Sequence, residues 1–149
     1  MSQLYQIVYT SRSNLSGSPP ELEVQIRRIL ASARKNNREA ALSGAMAFNE
    51  GWFAQVLEGS MSDLARIFGR IRSDSRHCEL KILRQVATKE RLFPTWSMAY
   101  ADAPDGQGRH PLAHFEFESA LTQGSSPAAQ KLLDALCRTV VAGDKLAKV

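Results

Sequence analysis

Hydrophobic and polar residues alternate along several stretches of the chain, and in other stretches the hydrophobic residues recur at helical spacing. Alternation with a period of two, together with many β-branched and aromatic residues, predicts strands at 4–11, 79–89 and 95–101. The stretch at 41–59 holds two apolar runs separated by an Asn-Glu-Gly turn, which predicts a β-hairpin. The pattern therefore predicts five strands.

Two helices are predicted between these strands, each opened by a capping signal. Ser18 and Glu21 form an S-x-x-E capping box before the first apolar stripe, and Ser60 and Asp63 form an S-x-x-D box before the second. The first helix is expected to end near KNNRE (35–39), where an Asn can adopt the left-handed conformation that ends many helices.

The order of these elements, β-α-β-β-α-β-β, predicts an α+β protein with a ferredoxin-like sandwich. Two helices would cover one face of a mainly antiparallel sheet. Residues 1–102 are predicted to form this domain. Residues 103–149 are predicted to form a C-terminal extension of two helices, which would pack on the sheet or relay a signal.

Composition places the chain among soluble globular proteins, with 149 residues, 44% hydrophobic and 23% charged. No apolar stretch is long enough to span a bilayer, and the N-terminus lacks a signal-peptide pattern, so we expect a cytoplasmic protein. Residues 61–91 hold eight Lys or Arg against four acids, a net +4 that equals the charge of the whole chain. This segment predicts either an anionic ligand or partner, or a solvated helix face.

Metal and nucleophilic chemistry find little support in the sequence, which has no hydrolase or nucleotide-binding motif. His110 and His114 have the i,i+4 spacing of a zinc pair but no nearby carboxylate or thiolate, so we expect no metal. Cys78 and Cys137 lie far apart in the sequence and are expected to be reduced thiols.

Gln55 is the polar residue that the pattern explains least. It lies in the middle of the apolar strand GWFAQVLEGS, and burying an unpaired amide costs about 1–3 kcal/mol. A hydrogen-bond partner is therefore expected. Other polar or aromatic residues have plain structural alternatives: Asn37 as a helix C-cap, Tyr9 as a half-buried strand aromatic, His77 as a solvated loop residue, and Trp96 and Met98 as core.

A ligand bound between the two helices would explain why these polar residues lie on apolar elements. A flat aromatic ligand could present its polar edge to Gln55, Tyr9 and Asn37, while basic residues at the mouth meet phosphate groups. The second helix is predicted to be closed by Asp74, Arg76 and His77. The faces of the ligand would be covered by Ile29, Ile67 and Ile71.

At this point the sequence resembles the BLUF domains, blue-light sensors that use FAD. Residues 3–100 contain five motifs in the family's order and spacing: IVYTSRS, ILASARKNN, LSGAMAFNEGWFAQVLEG, RIRSDSRH and RLFPTWSM. Two positions depart from the family pattern. Ala33 stands where many members have Ser, and Ser43 replaces the usual Thr before Gly44.

The resemblance implies that FAD lies non-covalently between the helices, with Tyr9 as the photoactive tyrosine and Gln55 between it and flavin N5/O4. Asn37 would bind the C4 carbonyl and N3 side of the ring, with Asn36 beside it. The remaining residues implied are Asp74, Arg76 and His77 at the pyrimidine edge and ribityl-phosphate region, and Trp96 and Met98 as the signal relay on the last strand.

The resemblance also implies a mechanism. Light would drive electron and proton transfer from Tyr9 to FAD and leave Gln55 rotated or tautomerised, with a new hydrogen bond that shifts absorption slightly to the red. A short member without a catalytic domain would not be an enzyme. It would signal to a partner, such as a response regulator or a cyclic-dinucleotide phosphodiesterase, and it is expected to form a homo-oligomer.

Two other functions stay open on the residues alone. A flavin-free domain could bind nucleic acid through segment 61–91, although the aromatic residues of the sheet are not interleaved with basic ones, which argues against it. The chain could also be a flavin oxidoreductase, but the sequence shows no substrate site for one.

Overall fold

The computed structural model describes residues 3–49, 51–93, 99–101 and 130–136. Trp96, Met98, His110, His114 and Cys137 lie outside these ranges, so the predictions made for them stay predictions. Within the ranges the elements are β1 (Leu4–Ser13), α1 (Pro19–Glu39), β2 (Ser43–Asn49), β3 (Trp52–Ser60), α2 (Met61–Arg72), β4 (His77–Thr88) and β5 (Ala99–Ala101), and residues 130–136 are helical. The predicted order and the ferredoxin-like α+β fold are confirmed.

The strands of the described region form one sheet in the order β4-β1-β3-β2-β5. All pairings are antiparallel except that of β2 with β5, which is parallel. Register places five residues opposite one another across the whole sheet: Ile82, Tyr9, Gln55, Met46 and Tyr100. Gln55 therefore occupies the middle strand of this row.

The main core lies between the sheet and the two helices. It includes Ile7 and Leu57 from the strands, Leu30 from α1, and Leu64 and Phe68 from α2. Burial of apolar side chains of this size, each worth about 1.5–3 kcal/mol, is what holds the helices on the sheet.

The opposite face of the sheet is also buried at Val8 and Val56, which alternate with the helix-facing residues. Arg84 lies opposite Val8 and donates hydrogen bonds of 3.4 Å to the side-chain oxygen of Gln130. In the helical residues 130–136, the side chains that are buried are Leu132, Leu133, Ala135 and Leu136. The proposed domain boundary after residue 102 stays a prediction.

Helix α1 begins and ends where the sequence predicts, but another residue takes the left-handed conformation at its end. Ser18 and Glu21 form the reciprocal capping box. At the other end Ala41, with a φ of 56°, takes the left-handed conformation that was expected of an Asn. Leu42 N–H donates to the Asn37 carbonyl at 2.8 Å, which completes the helix end. Asn37 itself is inside the helix and 1% exposed, so the prediction that it caps the helix was wrong.

Helix α2 ends earlier than predicted. Ser60 caps its start as expected, accepting from the Asp63 N–H, and Ser73 is its C-cap. Asp74 therefore follows the helix, and His77 is the first residue of β4. The prediction that His77 closes the second helix was wrong.

Strand β4 carries two irregularities where it pairs with β1. Val8 and Tyr9 are opposite Arg84 and Ile82, which leaves Leu83 as an extra residue. Nearer its start, the single residue Ser11 faces two residues, Glu79 and Leu80, and Glu79 has a φ of 49°. Each extra residue is a β-bulge that reverses the alternation of side chains.

Candidate functional site

A cleft of about 710 Å³, open to solvent, lies between α1, α2 and the helix-facing side of the sheet. Part of this volume is open solvent at the mouth of the cleft. The structure brings together in its lining all ten residues that were predicted to hold a cofactor: Tyr9, Ile29, Asn36, Asn37, Gln55, Ile67, Ile71, Asp74, Arg76 and His77. Their individual roles stay predictions.

Two strands of the sheet supply the floor of the cleft. Tyr9 on β1 and Gln55 on β3 are 2% and 6% exposed, and the Tyr9 hydroxyl donates a hydrogen bond to Gln55 Oε1. The Tyr9 ring packs edge-on against Phe68, with ring centroids 5.4 Å apart. The partner expected for Gln55 is thus the phenol of Tyr9. Since Oε1 accepts this bond, the two N–H donors of the amide lie on its other side.

The environment of Tyr9 keeps its phenol protonated. Burial raises the pKa of Tyr9 far above its usual value of 10, and the negative charge of Asp74 raises it further. Tyr9 is therefore a neutral hydrogen-bond donor across the physiological pH range.

Helical spacing explains which residues form the walls. In α1, Ile29, Ala33 and Asn37 are four residues apart and line one stripe of the helix. In α2, Ile67 and Ile71 have the same spacing. Each wall thus offers apolar surface, with an amide at the inner end of the α1 wall.

Charged groups gather at the mouth of the cleft. Arg76 Nε and Nη2 donate to the two carboxylate oxygens of Asp74 at 2.9 and 2.5 Å, and the Arg76 backbone N–H donates to the same carboxylate at 2.9 Å. The guanidinium lowers the pKa of Asp74, and the carboxylate raises the pKa of Arg76. Arg70 from α2 also lines the cleft and leaves the mouth with net positive charge.

His77 ties three elements together at one end of the cleft. Its Nε2 lies 2.6 Å from the Ile71 carbonyl, and its Nδ1 lies 2.7 Å from Ser11 Oγ. A carbonyl oxygen only accepts, so Nε2 carries a proton. In the neutral ring Nδ1 then accepts from the Ser11 hydroxyl.

Sequence reasoning missed five lining residues, which are Ser11, Ser32, Met46, Phe53 and Arg70. Two of them could have been found from helical spacing, because Ser32 and Arg70 each follow a predicted wall isoleucine by three residues. Met46 requires the register of the hairpin, which puts it directly opposite Gln55. Ala33, noted only as a departure from the family pattern, lies in the wall.

The basic residues of segment 61–91 lie in different parts of the structure. Arg70 and Arg76 line the cleft, whereas Arg66 pairs with Asp63 on the surface of α2. Across the ranges that the structure describes, no group of three or more His, Cys, Asp or Glu side chains could hold a metal ion. Over the same residues, every helix is too short or too polar to cross a membrane.

The fold and cleft define an α+β domain with a cleft that has apolar walls, a polar floor and charged groups in its lining. Residues 4–99 match the model of the BLUF family, described as sensors of blue-light using FAD. This match covers most of the chain, so the chain belongs to the BLUF family, its cofactor is FAD and it is a blue-light photoreceptor.

Known proteins of this family resemble the chain over different lengths. It is 25% identical over 101 residues to the photoactivated adenylate cyclase subunit beta of Euglena longa, covering 67% of this chain and 11% of that protein. The chain thus spans about a tenth of the length of the curated relatives it matches. BlrB, a BLUF protein in its dark state, superposes with a TM-score of 0.70 at 25% identity, covering 95% of this chain and 98% of BlrB.

A second similar structure is Klebsiella pneumoniae BlrP1 with FMN and cyclic diGMP. It superposes with a TM-score of 0.60 at 26% identity over 91% of this chain and 34% of BlrP1. The resemblance therefore extends to a protein that is about three times as long as the part it shares with this chain.

Proposed function

We propose that Tyr9 and Gln55 are the two parts of a light-driven hydrogen-bond switch. The observation that carries the proposal is the Tyr9–Gln55 hydrogen bond on the buried floor of the cleft. When bound, FAD would supply the absorption of blue light and the acceptor for both an electron and a proton. Tyr9 gives up its electron and its phenolic proton, and Gln55 reorients its amide when Tyr9 recovers them. The reoriented amide then makes a different set of hydrogen bonds.

The residues of the cleft suit a flat ring that carries a polar edge and a phosphate-bearing tail. Isoleucines at positions 29, 67 and 71 provide apolar contact for the ring, and Asn37 provides an amide for a carbonyl and N–H edge. Arg70 and Arg76 provide positive charge for the phosphates. Asn36, Asp74 and His77 are proposed to complete the site.

The route of the signal follows the row of opposed residues. Gln55 is opposite Met46, and Met46 is opposite Tyr100 of β5, so a change at Gln55 is two strands away from the last strand. Trp96 and Met98, five and three residues before the end of β5, are proposed to relay it. Packing of residues 103–149 on the far face of the sheet is the proposed next step.

We propose that this output is a protein contact and not catalysis by the chain itself. Adenylate cyclase is named for the Euglena relatives, and cyclic diGMP for the BlrP1 structure. The proposed partner is a separate cytoplasmic effector, either a response regulator or a cyclic-dinucleotide enzyme, and the cyclic diGMP of the BlrP1 structure supports the second. A homo-oligomer of the sensor is part of the same proposal.

Gln55→Leu tests the switch. The variant should retain FAD but lose the small red shift of absorption after blue light, because Leu fills a similar volume and has no amide. Gln6→Leu is the matched control: Gln6 is equally buried but does not line the cleft, so its variant should shift normally. A normal red shift in Gln55→Leu would show that the switch lies elsewhere.

A further inference from the structure

Glu58 is a buried carboxylate that the cleft does not use. It lies near the end of β3, is 0% exposed, and its oxygens accept hydrogen bonds from two consecutive backbone N–H groups. Leu92 N–H donates to Oε2 at 2.7 Å, and Phe93 N–H donates to Oε1 at 2.9 Å. A buried carboxylate is stable only when such donors replace its hydration.

Arg91 completes this arrangement with three hydrogen bonds to neighbouring elements. Its Nη1 donates to Ser43 Oγ at 2.8 Å and to the Glu58 carbonyl at 3.1 Å, and its Nη2 donates to the Ala41 carbonyl at 2.8 Å. Ser43 Oγ in turn lies 3.5 Å from Glu58 Oε1. We call Ser43, Glu58, Arg91 and the amides of Leu92 and Phe93 the Glu58 clamp.

The clamp holds the chain just before its last strand. Phe93 is buried, and only five residues separate it from Ala99, the start of β5. The clamp fixes residues 91–93 to the end of α1, to β2 and to β3, while pairing with β2 fixes β5 beyond them. Restraints therefore lie on residues 91–93 and on β5 itself.

Glu58 shares a strand with Gln55 but lies on the other face of the sheet. The two are three residues apart in β3, and side chains of a strand alternate. Glu58 therefore cannot touch a ligand in the cleft. A shift of β3 that follows rearrangement of Gln55 would still move the Glu58 carboxylate and the amides bound to it.

We propose that Glu58 is a positioning residue that holds β5 in its dark position and couples movement of β3 to it. The coupling half of this proposal rests on the proposed function of Gln55, whereas the anchoring half does not. Nothing in the clamp contributes to the cleft, so the clamp is separable from the photochemistry.

The test is Glu58→Gln, followed by amide hydrogen exchange in the dark and under blue light. Glutamine keeps one accepting oxygen but places an NH₂ group against a backbone N–H, donor against donor. Amides of residues 91–93 and 99–101 should exchange about tenfold faster in the dark, as expected when one charge-assisted hydrogen bond restrains local opening. Their light-minus-dark difference should be lost, while the absorption red shift stays.

Two further variants make the test specific. Thr10→Val is the matched control, because the Thr10 hydroxyl is buried on the same face of the sheet and has no hydrogen-bond partner within the described residues. It should leave exchange at β5 unchanged. Arg91→Lys keeps the charge but cannot make the three hydrogen bonds of the guanidinium. Since Arg91 is only half-buried, this variant should fold even if Glu58→Gln folds poorly, and it should give the same exchange result.

The outcomes separate the clamp from the switch. Faster exchange spread evenly over all strands would mean that Glu58 is only a stabilising residue, and unchanged dark exchange at β5 would mean that it anchors nothing. Either result overturns the proposal. If the unaltered protein shows no red shift, the proposed function fails, and selective acceleration at β5 in the dark still decides the anchoring half.

Discussion

Tyr9 on β1 and Gln55 on β3 lie directly opposite each other, and the hydroxyl of the first donates to the side-chain oxygen of the second. Both side chains are buried, 2% and 6% exposed, and both line the cleft. A hydrogen bond of this kind has two consequences. It fixes the amide of Gln55 in one orientation, and it makes each residue dependent on the other.

Tyr9→Phe should remove the red shift and keep the fold. The Phe ring can occupy the same place against Phe68, but Gln55 Oε1 loses its donor. We expect the free energy of unfolding to fall by about 1–3 kcal/mol, the cost of leaving one buried acceptor unsatisfied. Denaturant unfolding and light-minus-dark spectra would measure both effects.

Tyr5→Phe is the control for this variant, because Tyr5 lies on the same strand and only packs against the edge of the core. It should shift normally in light. If Tyr9→Phe also shifts normally, the electron comes from another residue.

Stability should fall with rising pH above 10 because of Tyr9. Its pKa is raised in the folded state, so above pH 10 the unfolded chain releases the phenolic proton while the folded protein keeps it. The contribution is complete below pH 10 and declines at about 1.4 kcal/mol per pH unit above it. Unfolding of Tyr9→Phe should have a shallower pH dependence by one proton, and equal slopes would contradict the burial of a neutral phenol.

Gly44 should not tolerate a side chain. A Cβ at this position would lie 2.0 Å from the Val56 carbonyl oxygen, so β2 and β3 would have to separate. We expect Gly44→Ala to lower the free energy of unfolding by at least about 2–3 kcal/mol, as for an overpacked core. Gly69→Ala is the control: no atom lies within 4 Å of its Cβ, and Ala in α2 should be neutral or stabilising by about 0.5–1 kcal/mol.

Ala41→Gly should stabilise the protein. Ala41 has a φ of 56° at the end of α1, a conformation that glycine adopts without strain. The expected gain is about 0.5–1 kcal/mol, since relief of strain exceeds the greater flexibility of glycine in the unfolded chain. Thermal unfolding would measure it, and a lower melting temperature would mean that the greater entropy of glycine in the unfolded chain outweighs the strain at this position.

The sequence was sufficient to predict those features whose signals are local. The capping box of Ser18 and Glu21 marks the start of α1, and alternation marks the strands, because both depend on residues within a few positions of each other. Gln55 could be singled out because an amide inside an apolar strand requires a partner. Its partner Tyr9 could be named only from the family motif, since strand pairing brings together residues 46 positions apart.

The sequence was insufficient where distant contacts decide. Ala41 accepts a hydrogen bond from Arg91, 50 residues away, which helps a residue other than Asn or Gly to end α1. Glu58 looks like an ordinary polar residue of a strand until the amides of Leu92 and Phe93 are placed on it. Such contacts leave no periodic pattern in the sequence.

The bulge at Glu79 and Leu80 makes the number of residues at the start of β4 important for the cleft. Side chains of a strand alternate between its two faces, so one extra residue reverses the face that the residues beyond it occupy. This bulge therefore decides which face His77 occupies. Deleting one residue at 79 or 80 would make the pairing regular and turn His77 away from Ser11 and Ile71. An insertion at the same place would also turn His77 away from them. Variation in length should therefore be excluded from the start of β4, because His77 must keep its direction to line the cleft.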